Sequence, residues 1–328
     1  MMRLPPFRYS APGTAREAAR ILAGEGPDAM PVAGGTDLYP NMKRRHQTPR
    51  TVVSLHRVAG LRGIDGAPET GIRIGAATSL AEIVRDETIR AAHPAVWKAV
   101  RSISTPALRN MGTIGGNLCL DTRCNYYDQS EEWRRSIHYC LKCNGDTCWV
   151  APSSARCLAV QSSDSAPVMV ALGAKIRLLG PDGERTIDAA ELYGEDGIAY
   201  LAKRRDELLL DVTLPATNGW SATYWKLRRR GAFDFPVLGV AAWVARDGAG
   251  VVTDARLVLG AVESFPIRVT AAEAKLVGTK LDDTAITAAA KLASKVARPF
   301  DNTDYEVRWR KAMAEKYVRG ALTELRAG

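Results

Sequence analysis

The sequence predicts an α+β chain with two domains, the second of which begins near residue 218. A length of 328 residues and a hydrophobic content of 46% are enough for more than one ordinary core. Strand-like and helical segments alternate up to Pro215, whereas beyond it several strand-like segments are followed only by helical ones. The change falls at the polar segment PATNGW, which we interpret as the domain boundary.

The first domain begins with a predicted helix. Thr14 and Glu17 have the spacing of a capping box, the following segment AREAARILAG carries apolar residues on one face, and Gly24 is expected to end it. The apolar run MPVAGGTDLY predicts a strand that enters a tight turn. Further strands are predicted in TVVSLHRV, GIRIGAATS, AKIRLLG and DELLLDVTLP, and helical segments in LAEIVRDETIRAAHPAVWKAVRSI and PVMVALG.

The second domain is predicted to place strands before helices. The strand segments are SATYWKLRRR, PVLGVAAWVARDG and VVTDARLVLGAV. The helical segments are TAAEAKLVG, DTAITAAAKLASKVARP and YEVRWRKAMAEKYVRGALTELRAG.

Charge and hydropathy exclude several classes of protein. The net charge of +9 is spread over short groups such as KLRRR, which is typical of a solvated surface and does not indicate nucleic-acid binding. The first residues lack the apolar segment of a signal peptide, and no stretch approaches the roughly 18 apolar residues of a membrane span. We therefore predict a cytoplasmic protein, in which a group of cysteines indicates metal or redox chemistry more often than disulfides.

Two glycine pairs form the first candidate site. They lie in VAGGTDL, residues 32–38, and in GTIGGNL, residues 112–118. Glycine tolerates positive φ and lets backbone N–H groups approach a ligand, and successive N–H groups in such a turn suit a pyrophosphate. Neither pair fits a Rossmann fingerprint or a P-loop, and each alone could be an ordinary tight turn. Two matched copies favour an anion site.

A cysteine-rich stretch forms the second candidate site. Five of the six cysteines lie between residues 122 and 157, and the sixth, Cys119, lies just upstream. Cys140 and Cys143 form a C-x-x-C pair, but the second pair of a zinc ribbon is missing. The residues alone leave an iron–sulfur cluster and zinc equally open, with a set of free cysteines as a third alternative.

The order of motifs resembles the flavin-binding subunits of the xanthine oxidase and molybdenum hydroxylase family. The resemblance rests on PVAGGTDLYPNMK, RNMGTIGGNLC, SDSAPVMVALGA and YWKLRRRGAFDFPVLGVAAWV, and it covers nearly the whole chain. It implies a two-subdomain FAD-binding fold of the PCMH or CO dehydrogenase flavoprotein type with a cysteine-rich insertion, followed by a C-terminal antiparallel sheet and helical bundle. The implied boundaries are residues 1–58 and 59–217 for the two subdomains, 120–160 for the insertion and 218–328 for the C-terminal domain.

The resemblance also implies a set of FAD-contacting residues. The two glycine turns would cradle the pyrophosphate, Ile103 would contact the cofactor ahead of the second turn, and Leu210 would pack beside it. Lys226 would lie near the isoalloxazine ring, where a cation favours reduced flavin by Coulomb attraction. The complete set is Val32, Ala33, Gly34, Gly35, Thr36, Asp37, Leu38, Ile103, Thr113, Gly115, Gly116, Asn117, Asp164, Leu210 and Lys226.

The insertion resembles one branch of the family, whose flavin subunit carries an additional 4Fe–4S cluster near the FAD. This implies the ligands Cys124, Cys140, Cys148 and Cys157, with the spacing C-x15-C-x7-C-x8-C. Cys143 would then be a bystander, although its place in the C-x-x-C pair lets it compete. Cys119 is expected to be a small buried thiol under the flavin loop.

The implied function is electron transfer within a molybdenum enzyme. In that branch, electrons pass from ferredoxin through the 4Fe–4S cluster and FAD to 2Fe–2S clusters and a molybdenum cofactor on partner subunits. The overall reaction removes the phenolic hydroxyl group of 4-hydroxybenzoyl-CoA, and the assembly is a dimer of heterotrimers. The substrate chemistry belongs to a partner subunit, so we assign no catalytic residue to this chain.

Two other functions stay open at this point. The first is the FAD subunit of an oxidative molybdenum hydroxylase acting on an aldehyde, CO or an N-heterocycle, although such subunits usually lack the cysteine insertion. The second is a zinc-containing binding module in which the insertion is a docking surface.

Overall fold

The structure is a computed structural model that describes residues 3–327. Met1, Met2 and Gly328, which the predicted domain boundaries include, lie outside the described residues. None of the described helices combines the length and apolar character that crossing a bilayer requires.

A small parallel sheet forms the first unit of the fold. It contains β1 (Arg8–Ser10), β2 (Ala29–Val32) and β3 (Thr51–Ser54) in the order β1-β3-β2, with α1 (Ala15–Glu25) and α2 (Leu38–Lys43) between the strands. The Thr14 hydroxyl accepts a hydrogen bond from the Glu17 N–H at 3.1 Å, as the sequence predicts. The second bond of the predicted capping box is absent, because the Glu17 carboxylate accepts from the Gly13 N–H at 3.1 Å instead of from Thr14. The helix ends at Gly26, where φ is 56°, instead of at Gly24, because only Gly26 adopts the positive φ that ends a helix.

A five-stranded sheet forms the second unit, and every neighbouring pair of its strands is antiparallel. Its order is β4-β5-β8-β6-β7, with β4 (Ile64–Ala67), β5 (Gly71–Gly75), β6 (Lys175–Gly180), β7 (Gly183–Asp188) and β8 (Leu208–Leu214). Between β5 and β6 the chain forms α3 (Leu80–Arg85), α4 (Glu87–Ala92), α5 (Pro94–Ser102), α6 (Pro106–Arg109), α7 (Ile114–Leu118), α8 (Glu131–Ser136) and α9 (Ser165–Leu172). The helix α8 lies inside the cysteine-rich insertion.

A four-stranded antiparallel sheet with helices forms the last unit, as predicted. Its order is β12-β11-β10-β9, with β9 (Trp220–Leu227), β10 (Leu238–Arg246), β11 (Val252–Gly260) and β12 (Ile267–Arg268). The helices are α10 (Thr270–Glu273), α11 (Asp283–Val296) and α12 (Val307–Ala327), and α10 is shorter than the predicted segment.

The central strand β10 explains how the units are joined. Val240, Ala242 and Val244 point to the core that α11 and α12 share. Ala241 and Trp243 point the other way, into the core that contains α5 and α9 of the first domain. Both faces of the strand are buried, which is why its sequence is continuously apolar instead of alternating. The C-terminal sheet therefore packs directly against the first domain and stabilises it.

Candidate functional site

The first glycine turn joins β2 to α2. Gly35 has φ of 71°, and a Cβ atom there would lie 2.5 Å from the ring of Tyr39. Gly34 is constrained differently, because a Cβ atom there would overlap the carbonyl oxygen of Met111. Gly35 is thus needed for the positive φ of this turn. Gly34 is needed because a side chain there would prevent the first turn from contacting Met111, just ahead of the second turn.

The second glycine turn opens the short helix α7. The Thr113 hydroxyl caps this helix by accepting a hydrogen bond from the Gly116 N–H at 3.1 Å. The Gly115 N–H donates to the Ala76 carbonyl oxygen at 2.9 Å, and a Cβ atom on Gly115 would lie only 2.8 Å from Ala76. The turn is therefore packed directly on the chain that leaves β5.

Asn117 ties the second turn to the start of α9. Its Oδ1 atom accepts hydrogen bonds from the hydroxyl groups of Ser163, at 2.8 Å, and Ser165, at 2.6 Å. These serines flank Asp164, so one amide oxygen orders the segment that carries the predicted aspartate.

The two turns and the segment around Asp164 enclose one cavity of about 760 Å³. This volume is in the range of ligand sites in proteins, and we call the space the flavin cavity. The residues of the predicted FAD set that line it are Val32, Ala33, Gly34, Gly35, Thr36, Asp37, Leu38, Ile103, Thr113, Gly115, Gly116, Asn117 and Asp164.

Leu210 and Lys226 of the predicted set do not contribute to the lining. The Leu210 side chain is buried in the core beneath α1, and its carbonyl oxygen accepts a hydrogen bond from the Ala76 N–H at 2.9 Å. The Lys226 side chain is only 4% exposed and lies behind Asp164, to which it donates a hydrogen bond at 2.8 Å. The Asp164 carboxylate therefore lies between the Lys226 charge and the cavity.

Asp164 of the first domain is held mainly by groups of the second domain. Its Oδ1 atom accepts from the Tyr224 hydroxyl at 2.8 Å and its Oδ2 atom accepts from Lys226, and both donors belong to β9. Burial lowers the pKa of Lys226, and the Asp164 carboxylate opposes that shift. The ion pair is thus a buried link between the cavity wall and the C-terminal sheet.

Sequence reasoning missed the cations that line the flavin cavity. They come from separate segments of the chain: Arg44, Arg109, Arg123, Lys203 and Arg230. Arg109 lies three residues before the second glycine turn. Burial together with the like charges of Arg101 and Arg228 lowers its pKa. A group of cations beside the glycine turns suits a ligand with phosphate groups. A signal was present in the motif RNMGTIGG, where an arginine stands just before the turn.

The cysteine insertion encloses a second, smaller cavity, which we call the cysteine cavity. Its wall includes the aromatic side chains Tyr126, Tyr127 and Trp149. Four of the six cysteines line it, and each is between 5% and 7% exposed: Cys124, Cys140, Cys148 and Cys157. These are the four ligands that the family resemblance implies. Cys119 instead lines the flavin cavity, where burial raises its pKa.

Cys143 is not part of the lining of the cysteine cavity. Its Sγ atom accepts a hydrogen bond at 2.8 Å from the guanidinium of Arg134, which is fully buried. The same guanidinium binds the Glu131 carboxylate at 2.8 Å and the Arg44 carbonyl oxygen at 2.9 Å. A buried cation therefore binds this sulfur, although the side chain still packs against the group of buried residues that contains Cys124, Cys140 and Cys157.

The backbone around the cysteine cavity is strained and points donors at sulfur. His138, Tyr139 and Asn144 all have positive φ, which residues with side chains rarely adopt and which often marks a functional site. The Ala159 N–H donates to the Cys157 sulfur at 3.4 Å. Burial raises the pKa of Cys157 to about 11, and this hydrogen bond opposes the rise. Such donors suit a sulfur that carries negative charge as a metal ligand.

The cysteine cavity is small. Within residues 3–327, no three His, Cys, Asp or Glu side chains converge closely enough to hold one ion. The four cysteines line a space of about 10 Å³, roughly that of one water molecule. Four thiols in one lining are a donor set that suits either zinc or an iron–sulfur cluster.

A single pair of backbone segments separates the two cavities. Arg123 and Val160 form an antiparallel bridge, with N–H to oxygen distances of 2.9 and 2.7 Å. Arg123, Asn125 and Val160 line the flavin cavity, whereas Cys124 and Ala159 line the cysteine cavity. Neighbouring residues of extended chain point to opposite sides, so one layer of backbone is a wall of both cavities.

The comparisons with known proteins agree with this architecture. Residues 5–217 match the family described as the FAD binding domain in molybdopterin dehydrogenase, and residues 222–325 match the CO dehydrogenase flavoprotein C-terminal domain. The predicted α+β fold, with an FAD-binding domain and a C-terminal sheet and helix domain, is thereby confirmed.

Known relatives match along most of their length. The aldehyde oxidoreductase FAD-binding subunit PaoB of Escherichia coli K12 is 32% identical, over 82% of this chain and 86% of the relative. The carbon monoxide dehydrogenase medium chain of Afipia carboxidovorans OM5 is 29% identical, over 98% and 97%.

A solved structure of carbon monoxide dehydrogenase from Hydrogenophaga pseudoflava, lacking the Mo-pyranopterin moiety of its cofactor, superimposes with a TM-score of 0.81. It is 27% identical and covers 99% of both chains. Together with the family matches, this likeness places the chain among the FAD-binding subunits of the xanthine oxidase family of molybdenum hydroxylases, and its cofactor is FAD.

Proposed function

We propose that the chain is an electron-transfer subunit that holds FAD in the flavin cavity and a 4Fe–4S cluster in the cysteine cavity. The observation that carries the proposal is the bridge between Arg123 and Val160, because it leaves one layer of backbone between the two cavities. FAD can exchange electrons singly or in pairs and a 4Fe–4S cluster one at a time, so together they connect one-electron carriers to two-electron chemistry.

On the flavin side, the residues of the two glycine turns would hold the pyrophosphate. The N–H groups of the first turn and the nearby guanidinium of Arg109 would provide the donors and the positive charge that phosphate oxygens require, because the N–H groups of Gly115 and Gly116 are already used within the protein. Lys226, although it lies behind Asp164, would still contribute positive charge on the side of the isoalloxazine ring. Ile103 would pack against the cofactor, and Leu210 would support the wall from behind.

On the cluster side, Cys124, Cys140, Cys148 and Cys157 would be the ligands. Their common cavity, their burial and its aromatic wall support this assignment, since a cluster needs four thiolates and protection from water. The hydrogen bond from Arg134 to Cys143 supports the exclusion of the fifth thiol.

The cysteine insertion favours a reductive reaction for the complex. In the branch of the family that the insertion resembles, 4-hydroxybenzoyl-CoA, two electrons and two protons give benzoyl-CoA and water on the molybdenum subunit. Ferredoxin would supply the electrons, and 2Fe–2S clusters on another subunit would pass them from this chain to molybdenum. The complex would be a cytoplasmic dimer of heterotrimers.

A second candidate, the FAD subunit of an oxidative hydroxylase, is favoured by the comparisons. The relatives are named for aldehyde, carbon monoxide, xanthine and nicotine enzymes, and their matches support an oxidative reaction better than the reductive one. Electrons would then leave through FAD. A zinc-containing binding module has no support among the relatives, although four thiols in one lining would also suit zinc.

The cluster is tested with a pair of cysteine variants. We expect anaerobically purified protein to contain iron and acid-labile sulfide and to give an EPR signal after reduction. Cys148→Ser should lose the iron, the sulfide and the EPR signal while it keeps FAD, because one of the four ligands is missing. Cys143→Ser is the matched control and should keep the iron. Zinc without iron in the wild type, or full iron in Cys148→Ser, would contradict the proposal.

The direction of the reaction is tested with the co-purified complex. The reductive reading predicts formation of benzoyl-CoA from 4-hydroxybenzoyl-CoA with a low-potential one-electron donor. The oxidative reading predicts no such product, and reduction of an electron acceptor by an aldehyde, CO or an N-heterocycle instead. Mass spectrometry of the thioester and the absorbance of the acceptor distinguish the two outcomes.

A further inference from the structure

Lys142 is a buried cation between the two cavities. Its side chain is 6% exposed, and its Nζ atom donates to Asp121 Oδ1 at 2.8 Å, Thr122 Oγ1 at 2.7 Å and the Gly197 carbonyl oxygen at 2.7 Å. All three donors of the ammonium group are thus used, and one partner is a carboxylate. The site is built for a charged lysine.

The ion pair of Lys142 and Asp121 is oriented across the wall between the cavities. Lys142 lines the cysteine cavity, and Asp121 lines the flavin cavity. The ammonium lies 5.0 Å from the ring centroid of Tyr127, on the cysteine side, and 5.2 Å from that of Tyr200, on the flavin side. Lys142 thus belongs to the lining of the cysteine cavity and Asp121 to the lining of the flavin cavity, while the ammonium itself lies between the two rings.

We propose that the Lys142–Asp121 pair sets the difference in reduction potential between the metal centre of the insertion and the flavin. This inference rests on the proposed function, because it takes the cluster and FAD as occupants of the two cavities. Reduction adds negative charge to each centre. Lys142 stabilises that charge on the cluster and raises its potential, whereas Asp121 disfavours it on the flavin and lowers the flavin potential.

The consequence is a bias in where electrons reside. With the pair intact, the equilibrium between the two centres is shifted towards reduced cluster and oxidised flavin. Lys142 and Asp121 are positioning residues in this role, since neither needs to touch the atoms that exchange electrons. The hydrogen bonds to Thr122 and Gly197 keep the ammonium in place whichever centre is reduced.

The test is a potentiometric titration of the purified complex, with EPR for the cluster and visible absorbance for the flavin. Lys142→Met removes the charge at similar length, so the ratio of reduced to oxidised cluster at a fixed potential should fall on the order of tenfold, about 59 mV for one electron. Asp121→Asn keeps an acceptor for Lys142 and should raise the flavin potential. The expected result is a lower reduction potential of the cluster in Lys142→Met and a higher reduction potential of the flavin in Asp121→Asn.

Arg135→Gln is the matched control, because it removes a positive charge that is 70% exposed on the same insertion. Iron and FAD contents are measured first in every variant. If Lys142→Met and Asp121→Asn keep full iron and FAD contents and their reduction potentials equal those of Arg135→Gln, the inference is overturned and the proposed function stays intact. Wild-type complex without iron would overturn both. If Lys142→Met fails to assemble, an unshifted flavin potential in Asp121→Asn overturns the inference by itself.

Discussion

At the scale of single residues, the two glycines of the first turn have different structural roles. Gly35 supplies a positive φ, whereas Gly34 permits contact between the first turn and the carbonyl oxygen of Met111. The second constraint involves two segments that are more than seventy residues apart. It is therefore invisible in the local motif, although both glycines belong to the same pair.

We predict that Gly34→Ala will reduce FAD content strongly, because a methyl group there would push the two turns apart. We also expect a loss of about 1–3 kcal/mol in the free energy of unfolding, as for overpacking elsewhere. Gly35→Val should have the same effect on FAD, since a β-branched residue disfavours positive φ. Flavin absorbance per chain and urea unfolding measure both quantities.

Gly24→Ala is the matched control for these variants. A Cβ atom at Gly24 would meet no other atom within 4 Å, and the residue lies within α1. Alanine is favourable there, so the variant should keep its flavin and be slightly more stable. Normal flavin content in folded Gly34→Ala would contradict the proposed contact between the turns.

At the scale of elements, the start of α9 and the strand β9 depend on each other. Asp164 stands at the N-terminal end of α9, and its two main partners, Tyr224 and Lys226, lie on β9. A helix and a strand that belong to different domains in the sequence thus share one buried charge pair. The flavin cavity therefore depends on the docking of the C-terminal sheet.

We predict that Lys226→Met will lower the free energy of unfolding by about 3–5 kcal/mol, because it leaves the Asp164 charge buried without a partner. The double variant Asp164→Asn/Lys226→Met should recover most of this loss, since Asn still accepts from Tyr224 and no charge remains. Urea unfolding of the single and double variants measures the coupling. A double variant no more stable than Lys226→Met would show that the charge is not the cause.

At the scale of the whole molecule, a buried histidine lies where the two domains meet. His93 is 1% exposed, neither ring nitrogen has a hydrogen-bond partner, and its ring lies 5.7 Å from that of Trp220 at the start of β9. Burial lowers the pKa of His93 from 6.5 to about 4. The folded protein therefore keeps this ring neutral at a pH at which the unfolded chain protonates it.

We predict that His93 makes the protein less stable as the pH falls from about 6.5 towards 4. The pKa is lower in the folded state, so the unfolded state binds more protons in this interval and gains free energy. His93→Leu removes this penalty, and its free energy of unfolding should rise relative to wild type by about 2–3 kcal/mol between pH 7.5 and pH 4.5. Urea unfolding at several pH values measures the difference.

His56→Leu is the control, because it makes the same replacement at an exposed histidine. His93 contributes no side-chain cap to α5, so its replacement costs no capping bond. A difference between His93→Leu and wild type that does not change with pH would show that His93 is not a neutral buried group.

Several features of this protein are determined by its sequence alone. The longer strands and helices, the Thr14 cap, the positive φ at Gly35 and the order of strands before helices in the second domain were predictable, because each depends on residues close together in the chain. The glycine turns and the four ligand cysteines were identified as candidates for the same reason, as motifs of fixed spacing. The short strands β1, β4, β7 and β12 were not predicted.

Only the tertiary structure decided how these candidates meet. It brings the four cysteines around one cavity, sets Lys226 behind Asp164, turns Cys143 towards Arg134 and inserts Lys142 between the cavities. Each of these arrangements depends on how segments that are far apart in the sequence pack together. Local propensity carries no information about the distance between such segments or the direction in which their side chains point. The charges between the two cavities are therefore a property of the fold, although every residue that carries them can be read in the sequence.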